Sequence, residues 1–211
     1  MSPPRRKAAG RQGALVPSRS LDDAVRRADD HAMDPSVAAR GSNPRLVELT
    51  DGSGSVVGTE GVVSAHQDGH LHRAFSVFVF NSNGETLLQR RAPGKRTFGG
   101  RWSNTCCGHP APGEEVLKAA GRRLGEEMGF GVPLEETAPF TYLARDDVSG
   151  LTEHEYDHVL VGRFDGSPNP DPTEADEWMW IEVDALRADL ARDPSRYTPW
   201  LGSALRMVAG T

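Results

Sequence analysis

Sulfur is scarce in this chain: of 211 residues only two are cysteine, and they are neighbours, Cys106 and Cys107. Adjacent cysteines close a disulfide only with strain and build no disulfide framework. They also lack the C-x2-C spacing of a zinc ribbon. Free thiols in a reducing compartment are the expectation, which puts the protein in the cytoplasm. Long apolar runs are missing as well. No segment reaches the roughly 18 apolar residues that mark a membrane span. The start, MSPPRRKAAGRQGALVPSRS, has no apolar stretch of the kind an export signal carries. A surplus of positive charge is absent too, since the formal net charge is −6. Neither a membrane nor a nucleic acid is therefore the expected partner. Aromatic residues are missing from all of residues 1–44, which are rich in Pro, Arg, Ala and Ser. Such a segment buries too little apolar surface to offset about 1–2 kcal/mol of backbone entropy per ordered residue. A disordered extension over 1–44 and a single domain over 45–211 are expected.

What is present in that domain alternates between strand and helix patterns. RLVELT and SVVGTE flank DGSG, a hairpin signal. RAFSVFVFN is β-rich and nearly continuous in apolar residues, as suits a strand covered on both faces. NSNG then turns the chain into a second strand, ETLLQRR. EEVLKAAGRRLGEEMG is the clearest helix, with Leu117, Ala120, Leu124 and Met128 expected on its buried face and Gly129 at its C-terminal cap. FTYLARDD and TEHEYDHVLVGRF predict an antiparallel pair, WMWIEV a further strand, and VDALRADLAR and TPWLGSALRMVAG two closing helices. Mixed order of this kind predicts an α/β or α+β fold, a sheet sandwiched by helices.

The helix sits in a longer pattern. Gly108 is followed by Glu114, Arg122, Leu124, Glu126, Glu127, Gly129 and Phe130 in the arrangement G-x5-E-x7-R-x-L-x-E-E-x-G-F. This resembles the Nudix box, a loop–helix–loop that holds metal and diphosphate. Acidic side chains at a helix C-terminus oppose the helix dipole, so the Glu126–Glu127 pair points to a cation nearby. One position departs from the hydrolase form of the box: Arg123 stands where a metal-binding glutamate is usual. That argues against hydrolysis of a diphosphate bond by the usual route.

Histidines and carboxylates gather around the box. Of seven histidines, six fall between positions 66 and 158. His66, His70 and His72 precede and enter the buried strand, His109 follows the cysteines, and Glu153 and Glu155 alternate along one face of a strand. Two like charges there repel unless a cation or a proton separates them. Imidazoles with carboxylates and no thiolate suit Mn²⁺ or Mg²⁺, with Zn²⁺ also compatible.

Taken with AH…LHRAFSVFVFN, RRA…K, WSNTCCGHP, EHE and TPW, the sequence from about residue 45 to 209 resembles the type I isopentenyl-diphosphate Δ-isomerases. The resemblance implies a Nudix-type mixed β-sheet sandwich flanked by helices. It also implies an intracellular enzyme of isoprenoid biosynthesis that interconverts isopentenyl and dimethylallyl diphosphate, as a monomer or weak dimer. It implies metal ligands at His66, His72, His109, Glu153 and Glu155, with His70 the alternative to His66. A second ion, Mg²⁺, would join the substrate diphosphate to Glu127. Diphosphate contacts are implied at Arg91, Lys95 and Arg123, while Val62 occupies about the place of a further lysine in the family. Cys107 and Glu155 take the acid–base roles, Tyr142 supports Glu155, and Trp200 faces a carbocation-like state. The start of the box helix next to Cys107 is expected to favour its thiolate. Cys106 is read as packing. Two rival readings are a metal-dependent Nudix diphosphohydrolase and a non-catalytic Nudix-fold ligand sensor.

Overall fold

The computed structural model describes residues 45–209, so the extension expected over 1–44 lies outside the described residues. The chain runs β1 (Leu46–Thr50), β2 (Val56–Gly61), α1 (Val62–Asp68), β3 (His72–Phe80), β4 (Glu85–Arg91), β5 (Trp102–Ser103), β6 (Cys106–Gly108), α2 (Val116–Met128), β7 (Glu135–Arg145), β8 (Thr152–Arg163), β9 (Ala175–Glu182), α3 (Val183–Arg192) and α4 (Leu201–Ala209). No helix among the described residues is long and apolar enough to cross a membrane.

β3 organises the sheet. It pairs in parallel with β8 along its whole length, His72 opposite Glu155 through Phe80 opposite Arg163. On its other side it meets β6 in antiparallel register, with Ser76 opposite Cys107. Near its end Phe80 meets Thr86, which hands the sheet over to β4 and its antiparallel partner β9. β7 and β8 form the expected antiparallel pair, and β1 and β2 the expected hairpin.

The apolar run of β3 serves two cores, one on each face. Phe75, Val77 and Val79 pack against Ala119, Ala120, Leu124 and Met128 of α2. Phe78 points the other way, into Leu186 of α3 and Leu201, Ala204 and Leu205 of α4. Each such side chain removed from water contributes about 1.5–3 kcal/mol, so both faces favour this strand in this place. The buried face of α2 differs in one respect from expectation. Leu117 is 47% exposed, and the face is formed by Val116, Ala119, Ala120, Leu124, Glu127 and Met128. Position 117 falls at the edge of that stripe in the first turn, beyond the reach of β3.

Two glycines are needed where they stand. Gly129 adopts φ 75° at the end of α2, where a Cβ would run into the Asn169 carbonyl. The same crossing segment caps the helix, as Asn169 N–H donates to Met128 O and Asp171 N–H to Glu127 O. At Gly108 a Cβ would stand 2.9 Å from the Phe75 ring, so the last residue of β6 has no room for a side chain.

Candidate active site and metal centre

β6 separates the two cysteines. Successive residues of a strand face opposite ways. Cys106 is fully buried in the core under α2, whereas Cys107 lies on the other face beside Trp200, Tyr142 and Phe98. The same alternation governs β8. Glu153, Glu155 and Asp157 share a face, and their neighbours on β3 include His72 and Ser76.

His66, His72, His109, Glu153 and Glu155 each bring one ligand atom into a group whose atoms lie within 4.8 Å of one another. His66 arrives on α1, a seven-residue helix that the sequence pattern did not indicate, and His72 opens β3. The outer nitrogens are committed to backbone: His66 Nδ1 donates to Val62 O at 2.5 Å and His72 Nδ1 to His70 O at 2.8 Å. The Nε2 atoms therefore face inward. His72 Nε2 is 3.2 Å from His109 Nε2, His109 Nε2 is 2.9 Å from Glu155 Oε1, and His66 Nε2 is 2.7 Å from Glu153 Oε2. The far oxygen of each carboxylate accepts a hydroxyl, from Thr97 Oγ1 at 2.5 Å for Glu153 and from Tyr142 at 2.6 Å for Glu155.

The electrostatics of the group suit a cation. Burial pushes His72 down to about 3 and His109 down to about 4, with neighbouring imidazoles adding to both, so the two rings stay neutral. Glu153 stays well below the usual carboxylate range despite its burial, because His66 bonds to it and faces it with positive charge. Burial and the adjacent Glu153 push Glu155 well above that range. A divalent ion offsets this crowding of buried carboxylates, uses the neutral rings of His72 and His109 as they stand, and displaces the proton that His66 shares with Glu153. These residues fit a metal.

His70 stands outside the group: its Nδ1 bonds to Glu60, and with Asp68 these residues form a separate exposed cluster. His154 and His158 also point elsewhere, to Gly69 O and Glu136. Glu127 is apart from the five as well. Its Oε1 takes Arg123 at 2.5 Å and its Oε2 takes Gln89 Nε2 at 3.2 Å, while Gln89 Oε1 is buried without a partner among the described residues. The acidic pair at the end of α2 is thus neutralised by the chain's own cations. Arg122 reaches Glu126, and Arg123 reaches Glu126, Glu127 and Glu174.

A cavity of about 430 Å³ opens beside this cluster, lined by Arg45, Lys95, Cys107, His109, Arg122 and Arg123. Arg122 belongs to the box pattern, but Arg45 carried no such signal in the sequence; it precedes β1 and is brought in by Val62 N–H donating to its carbonyl at 2.8 Å. Lys95 and Arg123 share Glu174, which they hold down to about 2 against its burial. Arg91 is not at the cavity wall. It is buried, donates to Thr97 O and sets its guanidinium 5.6 Å from the Trp200 ring centre.

Cys107 requires a correction. Burial, and then the charge of Asp157, push its thiol up to about 12. Burial and the Asp157 charge outweigh the opposing Arg91 guanidinium, so the resting group is the thiol rather than the thiolate. Trp200 is 3% exposed, with Phe98 at 5.4 Å and Tyr142 at 5.5 Å between ring centres. Phe98 holds a positive φ of 49°, unusual for an aromatic residue, in the loop that also carries Lys95 and Thr97.

Comparison with known proteins agrees with this architecture. The NUDIX domain model matches residues 70–201. A protein of Deinococcus radiodurans superposes with a TM-score of 0.65 at 20% identity, covering 78% of this chain and 99% of that one, a likeness of fold. The isopentenyl-diphosphate Delta-isomerase of Nocardia farcinica is 50% identical over 163 residues, 77% of this chain and 93% of the relative. That of Halorhodospira halophila is 55% identical over 156 residues, 73% of this chain and 89% of the relative. Half-identical sequence over nearly the full length of such relatives goes far beyond a shared fold: this chain belongs to the isopentenyl-diphosphate Delta-isomerase family, built on the Nudix domain.

Proposed function

We propose that this chain catalyses the reversible 1,3-allylic isomerisation of isopentenyl diphosphate to dimethylallyl diphosphate, acting on a small-molecule diphosphate in the cytoplasm. The observation that carries the reading is the cavity itself. One part of its wall is cationic, with Lys95, Arg122 and Arg123, while Cys107 at another part adjoins an aromatic cluster of Phe98, Tyr142 and Trp200. A short isoprenoid diphosphate has the same two-part chemistry. Arg123 and Lys95 suit the diphosphate, and several converging cations hold it better than one. Arg91 supports the loop between them through Thr97.

The reaction adds a proton to the terminal alkene carbon and takes one from the carbon two positions away, leaving the double bond moved and the atoms balanced. Cys107 and Glu155 come from β6 and β8, the strands on the two sides of β3, which suits a pair that works on opposite faces of a flat alkene. One of them gives its proton while the other accepts, and the reverse reaction exchanges the roles. Tyr142 orients Glu155 through its 2.6 Å bond. Between the two transfers a tertiary cation-like state develops. The Trp200 ring would contribute about 0.5–2 kcal/mol to it, and the aromatic cluster beside Cys107 would keep water out.

His66, His72, His109, Glu153 and Glu155 would hold one divalent cation, with Mn²⁺, Zn²⁺ or Mg²⁺ matching the donor set. When bound, it would raise the acidity of the Glu155 carboxyl. A second ion, Mg²⁺ with the substrate diphosphate, would draw on the oxygens of Glu127 and the spare Oε1 of Gln89. The test is incubation with isopentenyl diphosphate in D₂O, with and without divalent metal. Deuterium-labelled dimethylallyl diphosphate is expected. Release of phosphate with no allylic product would instead indicate the diphosphohydrolase.

A further inference from the structure

Asn104 lies between β5 and β6 and is completely buried. Both hydrogens of its side-chain amide are spent on backbone: Nδ2 donates to Val77 O at 3.2 Å and to Cys106 O at 2.9 Å. The amide has no freedom to turn over, because a flipped group would set its oxygen against those two carbonyls. Its Oδ1 is therefore fixed as an acceptor aimed into the site. Three donors meet it there: the Trp200 indole N–H at 3.1 Å, the Cys107 thiol at 3.2 Å and the Ser103 hydroxyl at 3.1 Å. Ser103 has a second partner in Thr198 Oγ1 at 3.0 Å. Trp200 has one N–H and this one bond for it. On the far side of the sulfur stands Ser76 Oγ at 3.7 Å, whose own hydrogen goes to Asp157 Oδ2 at 2.7 Å. The sulfur thus sits between two groups tied to the sheet, and its hydrogen at rest points to Asn104.

We propose that Asn104 is a positioning residue for the isomerisation: one amide oxygen, locked by two backbone carbonyls, fixes the Cys107 sulfur and the Trp200 ring relative to each other. The inference rests on the acid–base reading of Cys107 given above. Proton transfer and cation stabilisation concern adjacent carbons of one small substrate, so their two agents need a constant separation. Asn104 supplies it without touching the substrate. The sulfur turns its hydrogen about the Cβ–Sγ bond to reach the alkene while its own place is unchanged.

The test uses the full-length, metal-loaded enzyme with isopentenyl diphosphate as substrate. In Asn104→Ala, kcat is expected to fall about 10²-fold, the scale of an ångström-sized misplacement of a reacting group. KM should change by less than about threefold, since Lys95 and Arg123 still hold the diphosphate. Trp200→Phe keeps an aromatic ring and removes the N–H, and its loss should overlap with that of Asn104→Ala. The double variant is then about as slow as Asn104→Ala alone. Losses that multiply, or a KM that rises as far as kcat falls, would overturn the proposal in favour of a general structural role. Should Asn104→Ala fail to fold, as judged by circular dichroism, Trp200→Phe carries the test. About a tenfold lower kcat at constant KM supports the tether, and an unchanged kcat overturns it. Wild-type enzyme that forms no dimethylallyl diphosphate would instead sink the isomerase reading, a separate result.

Discussion

Replacing Arg123 with glutamine tests how the box helix is held together. Its guanidinium bonds to Glu126 Oε2 at 2.6 Å, Glu127 Oε1 at 2.5 Å and Glu174 Oε1 at 3.0 Å. These pairs differ in worth. Glu126 is 46% exposed, so its pair contributes at most about 1 kcal/mol. Glu127 is 1% exposed, and without Arg123 its charge is left with the neutral Gln89 amide and Cys106 thiol beside it. Removing one partner of a buried ion pair costs about 3–5 kcal/mol. Arg123 itself is 15% exposed, which puts the expected loss near the lower end, at about 3 kcal/mol. For a domain of this size each kcal/mol moves the melting temperature by about 2–4 °C, so Arg123→Gln should melt about 6–12 °C lower by scanning calorimetry at neutral pH. The cost comes from the stranded charge rather than from lost packing. Arg123→Gln combined with Glu127→Gln should therefore recover at least about half of the loss. A single variant within about 2 °C of wild type, or a double variant no more stable than the single, would refute the reasoning.

Three other outcomes follow from the geometry. Cys107→Ser should lower the rate of dimethylallyl diphosphate formation by at least about 10³-fold at neutral pH, because a hydroxyl is too weak an acid–base partner; a loss under tenfold would remove Cys107 from the chemistry. Thr97→Val breaks the bond to Glu153 and should weaken Mn²⁺ binding about 10–100-fold by titration calorimetry, whereas His70→Asn should leave it unchanged. Glu174 is held down to about 2 from 4.5, so its ion pairs stabilise the fold above pH 4.5 and fade as the pH falls toward 2. Wild type should outlast Glu174→Gln in thermal melts at pH 7, the gap should close through that acid window, and a gap that persists at pH 2 would contradict the assignment.

How far the sequence could lead depended on what fixes each element. α2 and β3 were readable because their own residues state their period and burial, and Gly129 because an αL cap calls for glycine. α1 was not. It is seven residues long with no side-chain cap, and it forms because Val62 pairs with Arg45 O at one end and Gly69 turns the chain at the other. The distinction between His66 and His70 depends on that helix, which carries the first inward and leaves the second with Glu60. β5 and β6, two and three residues long, exist only through their pairing with β4 and β3, and pairing has no local period. Resemblance to the family supplied the proposed ligand and acid–base residues. It was silent on Thr97, Ser76, Asp157 and Asn104, whose polar atoms matter by position rather than by type.

The fold raises the question of why a Nudix domain should move a proton rather than cleave a diphosphate. Hydrolysis needs cations that polarise the phosphorus centre and position water beside it. In this chain the acidic end of the box helix is already neutralised by Arg122 and Arg123, which also line the cavity wall. Guanidinium groups hold a diphosphate firmly, but they carry no ligand water to turn against it. A group of residues that suits a divalent ion has gathered around Glu155, whose carboxyl bonds on one side to His109 and on the other to Tyr142. A metal held there would tune a carboxyl acid rather than a phosphoryl group. On the acid–base reading proposed above, the same fold would separate holding the diphosphate from the chemistry at carbon, and Arg123 in place of a glutamate is the substitution on which that separation would turn.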